Sequence, residues 1–199
     1  MKSFSRIAAL CAPLGLIACG GGNGSGGGAT LTGTVAGTTL TVTDQSAFSG
    51  TGTCNGNTAT VVAVNLANVT GQCSAAQASK ATKNTTSLTL ILVLPGGGTI
   101  GPGTYQIVNP PAGTPVAVAA FDKTDDSCNP TLTANGSTTK ASLSANGGTV
   151  TISAISSSAV SGNFALTFGG GGTLAGGFNA AICNFSIDKI CASSGSTCG

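Results

Sequence analysis

The sequence predicts an all-β fold, an antiparallel β-sandwich or partly open barrel with one short helix. Three observations predict it. From residue 29 onward Thr and Val alternate with small residues, a pattern that suits a pleated, half-buried surface. Apolar runs are short and end in Gly or Pro clusters, as strands do. Helix formers are scarce: there is no Glu, and only 6% of the 199 residues are charged, so long amphipathic helices lack material. The 41% hydrophobic content at a net charge of +2 is the reverse of a disordered composition.

The elements follow in order. Leu31, Gly33 and Val35 alternate with Thr, Gly37-Thr38 turns the chain, and Leu40 and Val42 continue on a partner strand. Residues 58–66 (TATVVAVNL) form the next strand. Gly71 to Lys83 (GQCSAAQASKATK) is short and Ala-rich, the one helix candidate. Ser87 to Leu94 (SLTLILVL) is almost continuously apolar, which suits a central strand buried on both faces. Tyr105, Ile107 and Val108 follow a Gly-Pro-Gly turn, and Pro115 to Phe121 is a further apolar run. The last third reads as a meander of residues 148–155, 160–168 and 173–183, with Gly169 to Gly172 as the hairpin between the last two. Its inward face carries Phe164, Phe168 and Phe178, which join Leu90, Leu92, Val62 and Val64 as the expected core. About nine strands in roughly 170 residues give the sandwich or barrel.

The N-terminus reads as an address. Lys2 and Arg6 precede a twelve-residue apolar run, Ile7 to Ala18, too short to span a bilayer and shaped like a secretory signal. The run ends Leu16-Ile17-Ala18-Cys19-Gly20, which resembles the bacterial lipobox. That resemblance implies a signal peptide over 1–18, cleavage before Cys19, and acylation of Cys19 on its thiol and amine. Two or three acyl chains make a firm membrane anchor where one does not. Gly20 stands where an Asp would favour inner-membrane retention, so the same analogy implies the outer membrane. Residues 20–28 (GGGNGSGGG) form a flexible coil with an rms reach of about 15–18 Å. The expected domains are therefore 1–18 signal, 19–28 lipidated Cys and tether, and 29–199 a single β domain.

Cysteine usage agrees with export. Cys11 leaves with the signal and Cys19 takes lipid, leaving Cys54, Cys73, Cys128, Cys183, Cys191 and Cys198. An even remainder is what an oxidising compartment requires, and the connectivity stays open. The simplest pairing is local, Cys54–Cys73 and Cys191–Cys198, with Cys128–Cys183 tying a loop to a late strand. A zinc framework is disfavoured, since the chain has no His and no paired CxxC. Behind residue 28, Lys80, Lys83, Lys123, Lys140 and Lys189 balance Asp44, Asp122, Asp125, Asp126 and Asp188. No basic patch exists, which excludes a nucleic-acid partner.

The last third resembles the C-terminal part of uncharacterised β-rich lipoproteins of Gram-negative bacteria. The residues that carry this are Gly162-Asn163-Phe164 and Gly177-Phe178-Asn179-Ala180-Ala181-Ile182-Cys183, with "GTVAGTTLTV" and "GPGTYQI" earlier. The spacing departs in that Gly177 directly precedes its Phe. The resemblance implies a β fold and an envelope location, and brings no established activity.

Catalytic chemistry has little to work with. A Ser–His–Asp triad is impossible without His. Ser137-Thr138-Thr139-Lys140 matches S-x-x-K, but that motif needs a helix to bring Lys beside the Ser hydroxyl, and here the surroundings alternate like a strand. Asp122, Asp125 and Asp126 with Asn129 form the one acidic cluster. Carboxylates and carbonyls could hold Ca²⁺, although EF-hand spacing is missing. The plainer reading is a solvated loop with Asx-turns. The expectation is a non-enzymatic binding or scaffold lipoprotein of the cell envelope, with no cofactor. Its partners would be the membrane, through lipid, and possible proteins. The alternative is a Ca-dependent surface hydrolase built on the Asp122–Asp126 loop.

Overall fold

Side-chain alternation decides which way each strand faces. Val62, Val64 and Leu66 share one side of their strand, and Leu88, Leu90 and Leu92 share one side of the next. Segments of this kind cannot leave that side in water, and here they roll it inward into a barrel. The structure is a computed structural model that describes residues 29–54, 56–107, 113–134, 138–140, 142–169, 171–184 and 197–198. In chain order its elements are β1 (Leu31–Val35), β2 (Asp44–Cys54), β3 (Asn57–Ala67), α1 (Gln72–Gln77), β4 (Lys80–Ala81), β5 (Thr86–Pro95) and β6 (Gly103–Gln106). There follow β7 (Val116–Lys123), β8 (Leu132–Ala134), β9 (Thr138–Lys140), β10 (Leu143–Ile155), β11 (Ala159–Phe168), β12 (Gly172–Ile182) and β13 (Thr197–Cys198).

Seven strands make the closed ring, β2-β3-β5-β7-β10-β11-β12. Each neighbouring pair along this path is antiparallel. An odd number of alternating strands puts the first and last in the same direction, so the ring closes with a parallel pairing. That pairing is Ala181↔Ser46 and Ile182↔Ala47. Followed strand by strand from Ala47, the register returns to β12 about ten residues before Ile182, the partner of Ala47. This stagger tilts the strands and lets the sheet close.

The edge of β12 that closes the ring is fully used. β1 pairs with its first half, from Leu31↔Gly176 to Val35↔Gly172. The Gln45 side chain accepts from Asn179 N–H at 2.9 Å, and Cys183 N–H donates to Ala47 O at 2.7 Å. No long stretch of this edge is left to unpaired amides, which would be costly if buried. β6 adds to β10, and the small pairs β4–β13 and β8–β9 lie outside the ring.

The inside is apolar. Phe121, Leu66, Leu88, Leu90, Leu92, Leu132 and Leu174 are among the largest side chains fully out of water. Burial of each contributes about 1.5–3 kcal/mol relative to exposure. Phe121 meets Phe168 edge-on with ring centroids 6.2 Å apart, and Phe164 stacks near Phe178 at 6.5 Å, geometries that aromatic quadrupoles favour. All seven residues expected in the core are buried. Gly162 lies opposite Phe178 across the β11–β12 pair. A Cβ there would run into the Thr151 carbonyl and stand 2.8 Å from the Phe178 ring. The glycine therefore makes room both for the β10–β11 irregularity between Ile152 and Ala154 and for the ring.

Several expectations change. The all-β fold holds, and the architecture is a barrel rather than a sandwich. Residues 39–43 form no strand: Val35 and Thr38 make only a bridge around a turn, and Ala36 takes φ 49°. The partner of β1 is instead β12, and the next strand in the chain is β2, whose Gly50, Gly52, Ser and Thr content hid it. The helix covers only Gln72–Gln77, because Ser79 turns left-handed at φ 54° and Lys80–Ala81 pair with β13. The local disulfides are replaced by long-range ones. Cys73 bonds Cys183 with Cα atoms 6.3 Å apart and 110 residues between them, and Cys128 bonds Cys198 at 5.7 Å across 70 residues. Local pairing fails because Cys73 opens α1 beside the ring closure, where Cys183 already lies. Val108, Cys191 and residues 1–28, with Cys19, fall outside the described residues.

Three outcomes follow from this packing. Gly162→Ala will lower unfolding free energy by about 2–4 kcal/mol in urea denaturation. Gly101→Ala, where a Cβ meets nothing within 4 Å, will stay within about 0.5 kcal/mol of the parent. Replacing both Cys73 and Cys183 by Ala will cost about 3–5 kcal/mol in the same assay, since the bridge closes a long loop.

Candidate functional site

The charged residues that the sequence singles out sit where β7 ends and its loop begins. β7 pairs with β5, setting Asp122 opposite Ser87 and Lys123 opposite Thr86. Beyond the strand the chain is held by hydroxyls and amides. Thr124 N–H donates to Thr85 O at 2.8 Å, and its Oγ1 donates to Thr82 O and accepts from Thr85 N–H. Asn84 N–H donates to Asp125 O at 2.8 Å.

Asp125 organises the loop itself. Its Oδ1 accepts from Ser127 N–H at 2.9 Å and from Asn129 N–H at 2.8 Å, and its Oδ2 accepts from Asn129 Nδ2 at 3.3 Å. These bonds, led by the Asn129 N–H, hold its carboxyl below the usual carboxylate range. The outcome is an Asx-type loop that carries Cys128 at φ 60° toward its bridge with Cys198. Among the described residues Asp126 accepts from the Ser127 hydroxyl, at 3.2 Å.

Asp122 belongs to a different surface. It lies on the outer side of β7, half-buried, one residue before the strand ends at Lys123. Ser87, opposite it, is buried, and so is Thr89 on the same side of β5. Burial pushes the Asp122 carboxyl up to about 7. Asp122, Asp125, Asp126 and Asn129 are thus close in sequence but not a ligand set. Among the described residues, no three His, Cys, Asp or Glu side chains gather so as to hold a metal. Of the S-x-x-K motif, Thr138–Lys140 form β9, an extended strand paired with β8, and Ser137 lies outside the described residues.

Polar residues that the sequence did not flag are more structured than those it did. Asn65 is 6% exposed; its Nδ2 donates to the fully buried Thr89 Oγ1 at 3.2 Å, and its Oδ1 has no partner among the described residues. Asp44 reaches from β2 to accept the Gln72 N–H at 2.9 Å. It supplies the N-terminal acceptor that α1 lacks, because Gly71 at the cap has no side chain. The one hint for Asn65 was a polar residue breaking the apolar run of β3.

Charge is segregated over the barrel. Strands β1, β3, β5, β6, β10, β11 and β12 contain no charged residue, and the ring's charges are Asp44 on β2 and Asp122 and Lys123 on β7. The outward positions of β1, β6, β10, β11 and β12 are Thr, Ala, Asn, Gln, Ser and Gly, such as Thr32, Thr34, Thr149, Asn163 and Thr173. All four cysteines with described side chains are in disulfides, so none offers a nucleophilic thiolate. Compared with protein-family models, curated proteins and solved structures, the chain matches none.

The two carboxyls give pH dependences of opposite sign. Asp122 binds its proton more tightly folded than unfolded, so stability falls as pH rises from about 4 through 7. Asp125 binds its proton less tightly folded, so its contribution is present above about pH 4 and fades as pH drops below it. Thermal melts across pH 3–9 will therefore peak at about pH 4. Asp122→Asn will flatten the alkaline limb and leave the acid limb in place.

Proposed function

We propose that the chain is a cell-envelope lipoprotein of non-enzymatic binding or scaffold type, held at the outer membrane by lipid on Cys19. The observation that carries this reading is the pair of long-range bridges, Cys73–Cys183 and Cys128–Cys198. Such bonds persist in oxidising compartments and are rare in the reducing cytosol. The apolar run before Cys19, with Leu16-Ile17-Ala18 in front of the thiol, supplies the route to such a compartment and the anchor on arrival.

The barrel fits a passive role. Active sites are built largely from titratable groups with perturbed environments. Here one shifted carboxyl, Asp122, stands on a sheet face, and the other, Asp125, is occupied in holding its own loop. The uncharged surface of β1, β12, β11, β10 and β6 is the larger feature. Small hydroxyl and amide side chains on a sheet suit contact with another uncharged protein surface. The resemblance of the Gly162–Phe164 and Gly177–Cys183 segments to β-rich envelope lipoproteins points the same way.

Mass spectrometry of the mature N-terminal peptide from a bacterial host tests the anchor. The expected result is a peptide beginning at Cys19 and carrying diacylglycerol and an N-acyl group. Cys19→Ser will leave residues 1–18 attached and move the protein out of the detergent phase. A soluble parent protein retaining Met1, with reducible thiols at Cys73 and Cys183, would sink the proposal.

A further inference from the structure

The two disulfides stand in opposite surroundings. Cys183 is 6% exposed and clusters with Ala76, with Cys73 and Ala75 packed against them. Its N–H is bonded to Ala47 O beside the ring closure. A reductant reaches that bridge only when α1 lifts away from the seam. Cys198 is exposed, on the strand β13. Its partner Cys128 is half-buried, in the loop that Asp125 ties, between the exposed Ser127 and Asn129. Cys128 also holds φ 60°, a left-handed conformation that costs a residue with a side chain.

β13 has little else to hold it. It is Thr197 and Cys198, paired parallel with Lys80 and Ala81 of β4, and among the described elements it has no other strand neighbour. Two exposed residues in a two-stranded sheet are not stable alone. The covalent bond to Cys128 is what keeps β13 on β4. The ring does not need that bond, because its seven strands are complete at β12.

We infer that Cys128–Cys198 is a redox-controlled latch. A dithiol reductant opens it in the folded protein, β13 leaves β4, and the barrel stays shut behind Cys73–Cys183. Exposed disulfides are the labile and regulatory ones, and buried ones resist reduction. A thiolate of the reductant attacks the exposed Cys198 sulfur. The S–S bond breaks, Cys128 leaves as a thiolate and takes up a proton, and a mixed disulfide joins Cys198 to the reductant. The reductant's second thiolate then attacks its own sulfur in that mixed disulfide. Cys198 is released and takes up a second proton, and the reductant ends as an internal disulfide. Two electrons have passed from the dithiol to the bridge. Opening leaves Lys80 and Ala81 without their partner strand, which bares the edge of β4 to any extended segment able to pair with it. The latch is a property of the folded domain and does not depend on lipid at Cys19.

Timed reduction tests it. Oxidised full-chain protein is held in native buffer with millimolar dithiothreitol, and samples are quenched with iodoacetamide. They are then fully reduced in denaturant, blocked with N-ethylmaleimide and digested with trypsin. Cys128 is the sole cysteine of peptide 124–140 and Cys183 the sole cysteine of 141–189, so each bridge reports on its own peptide. Cys128 will take the first label about ten-fold or more faster than Cys183. Equal rates, or Cys183 first, overturn the latch. Release of β13 is read by native cleavage after the exposed Lys80. That cut will be about ten-fold faster in protein reduced at Cys128–Cys198 alone, and in a Cys128→Ser/Cys198→Ser variant, than in the oxidised parent. An unchanged rate in the reduced parent overturns the release, whether or not the variant folds.

Discussion

The structure depends on one short parallel seam. Seven alternating strands can enclose a core only if the first and last meet, and an odd count forces them to meet parallel. β2 and β12 do so through two register pairs, Ser46 with Ala181 and Ala47 with Ile182. So brief a contact would be weak alone. It is reinforced on each side: by the Gln45 side chain on Asn179 N–H, by Cys183 N–H on Ala47 O, and by the Cys73–Cys183 bond. β1 covers the rest of the same edge, which removes the open amides that would otherwise recruit other chains.

Much of this was legible because burial acts on period-two patterns. Strands β3, β5, β11 and β12 announce themselves through Val, Leu and Phe at alternate positions, and the residues expected inside are inside. β2 was illegible for the converse reason. Its core contribution is small, Ala47 rather than Leu or Phe, and its Gly and Ser content resembles a turn. Without β2 the ring cannot be recognised as a ring, so sandwich and barrel were equally compatible with the sequence. Disulfide connectivity was hidden for a related reason: Cys73 and Cys183 are neighbours only because the ring closes there. At the acidic loop, the Asx geometry of Asp125 could be anticipated from Asp and Asn near a turn. The separation of Asp122 onto a strand face could not.

Polar side chains in this protein mostly hold backbone in place. Asp44 completes a helix start from another strand, Asp125 ties a loop, and Thr82, Thr85 and Thr124 share hydrogen bonds between neighbouring segments. With so few charges available, hydroxyls and single carboxylates do what ion-pair networks do in more charged proteins. Such bonds are short in range and are little affected by salt compared with exposed ion pairs. The surface that remains is large, nearly neutral and made of small side chains.

The seam also sets an order of events. Ser46 and Ala181 are brought together across most of the chain, so their contact carries a loop-closure cost that helix or hairpin contacts avoid. Hairpins such as β2–β3 and β11–β12 can form as soon as their own residues are available. The circle cannot shut until β12 has been delivered. Until that moment a folding chain presents an incomplete, sticky sheet with two raw borders, and a chain halted before its final ring strand would keep them. For a molecule assembled this way, holding the nascent polypeptide apart from its neighbours until the last segment arrives is as much a requirement of the architecture as the packing of its core.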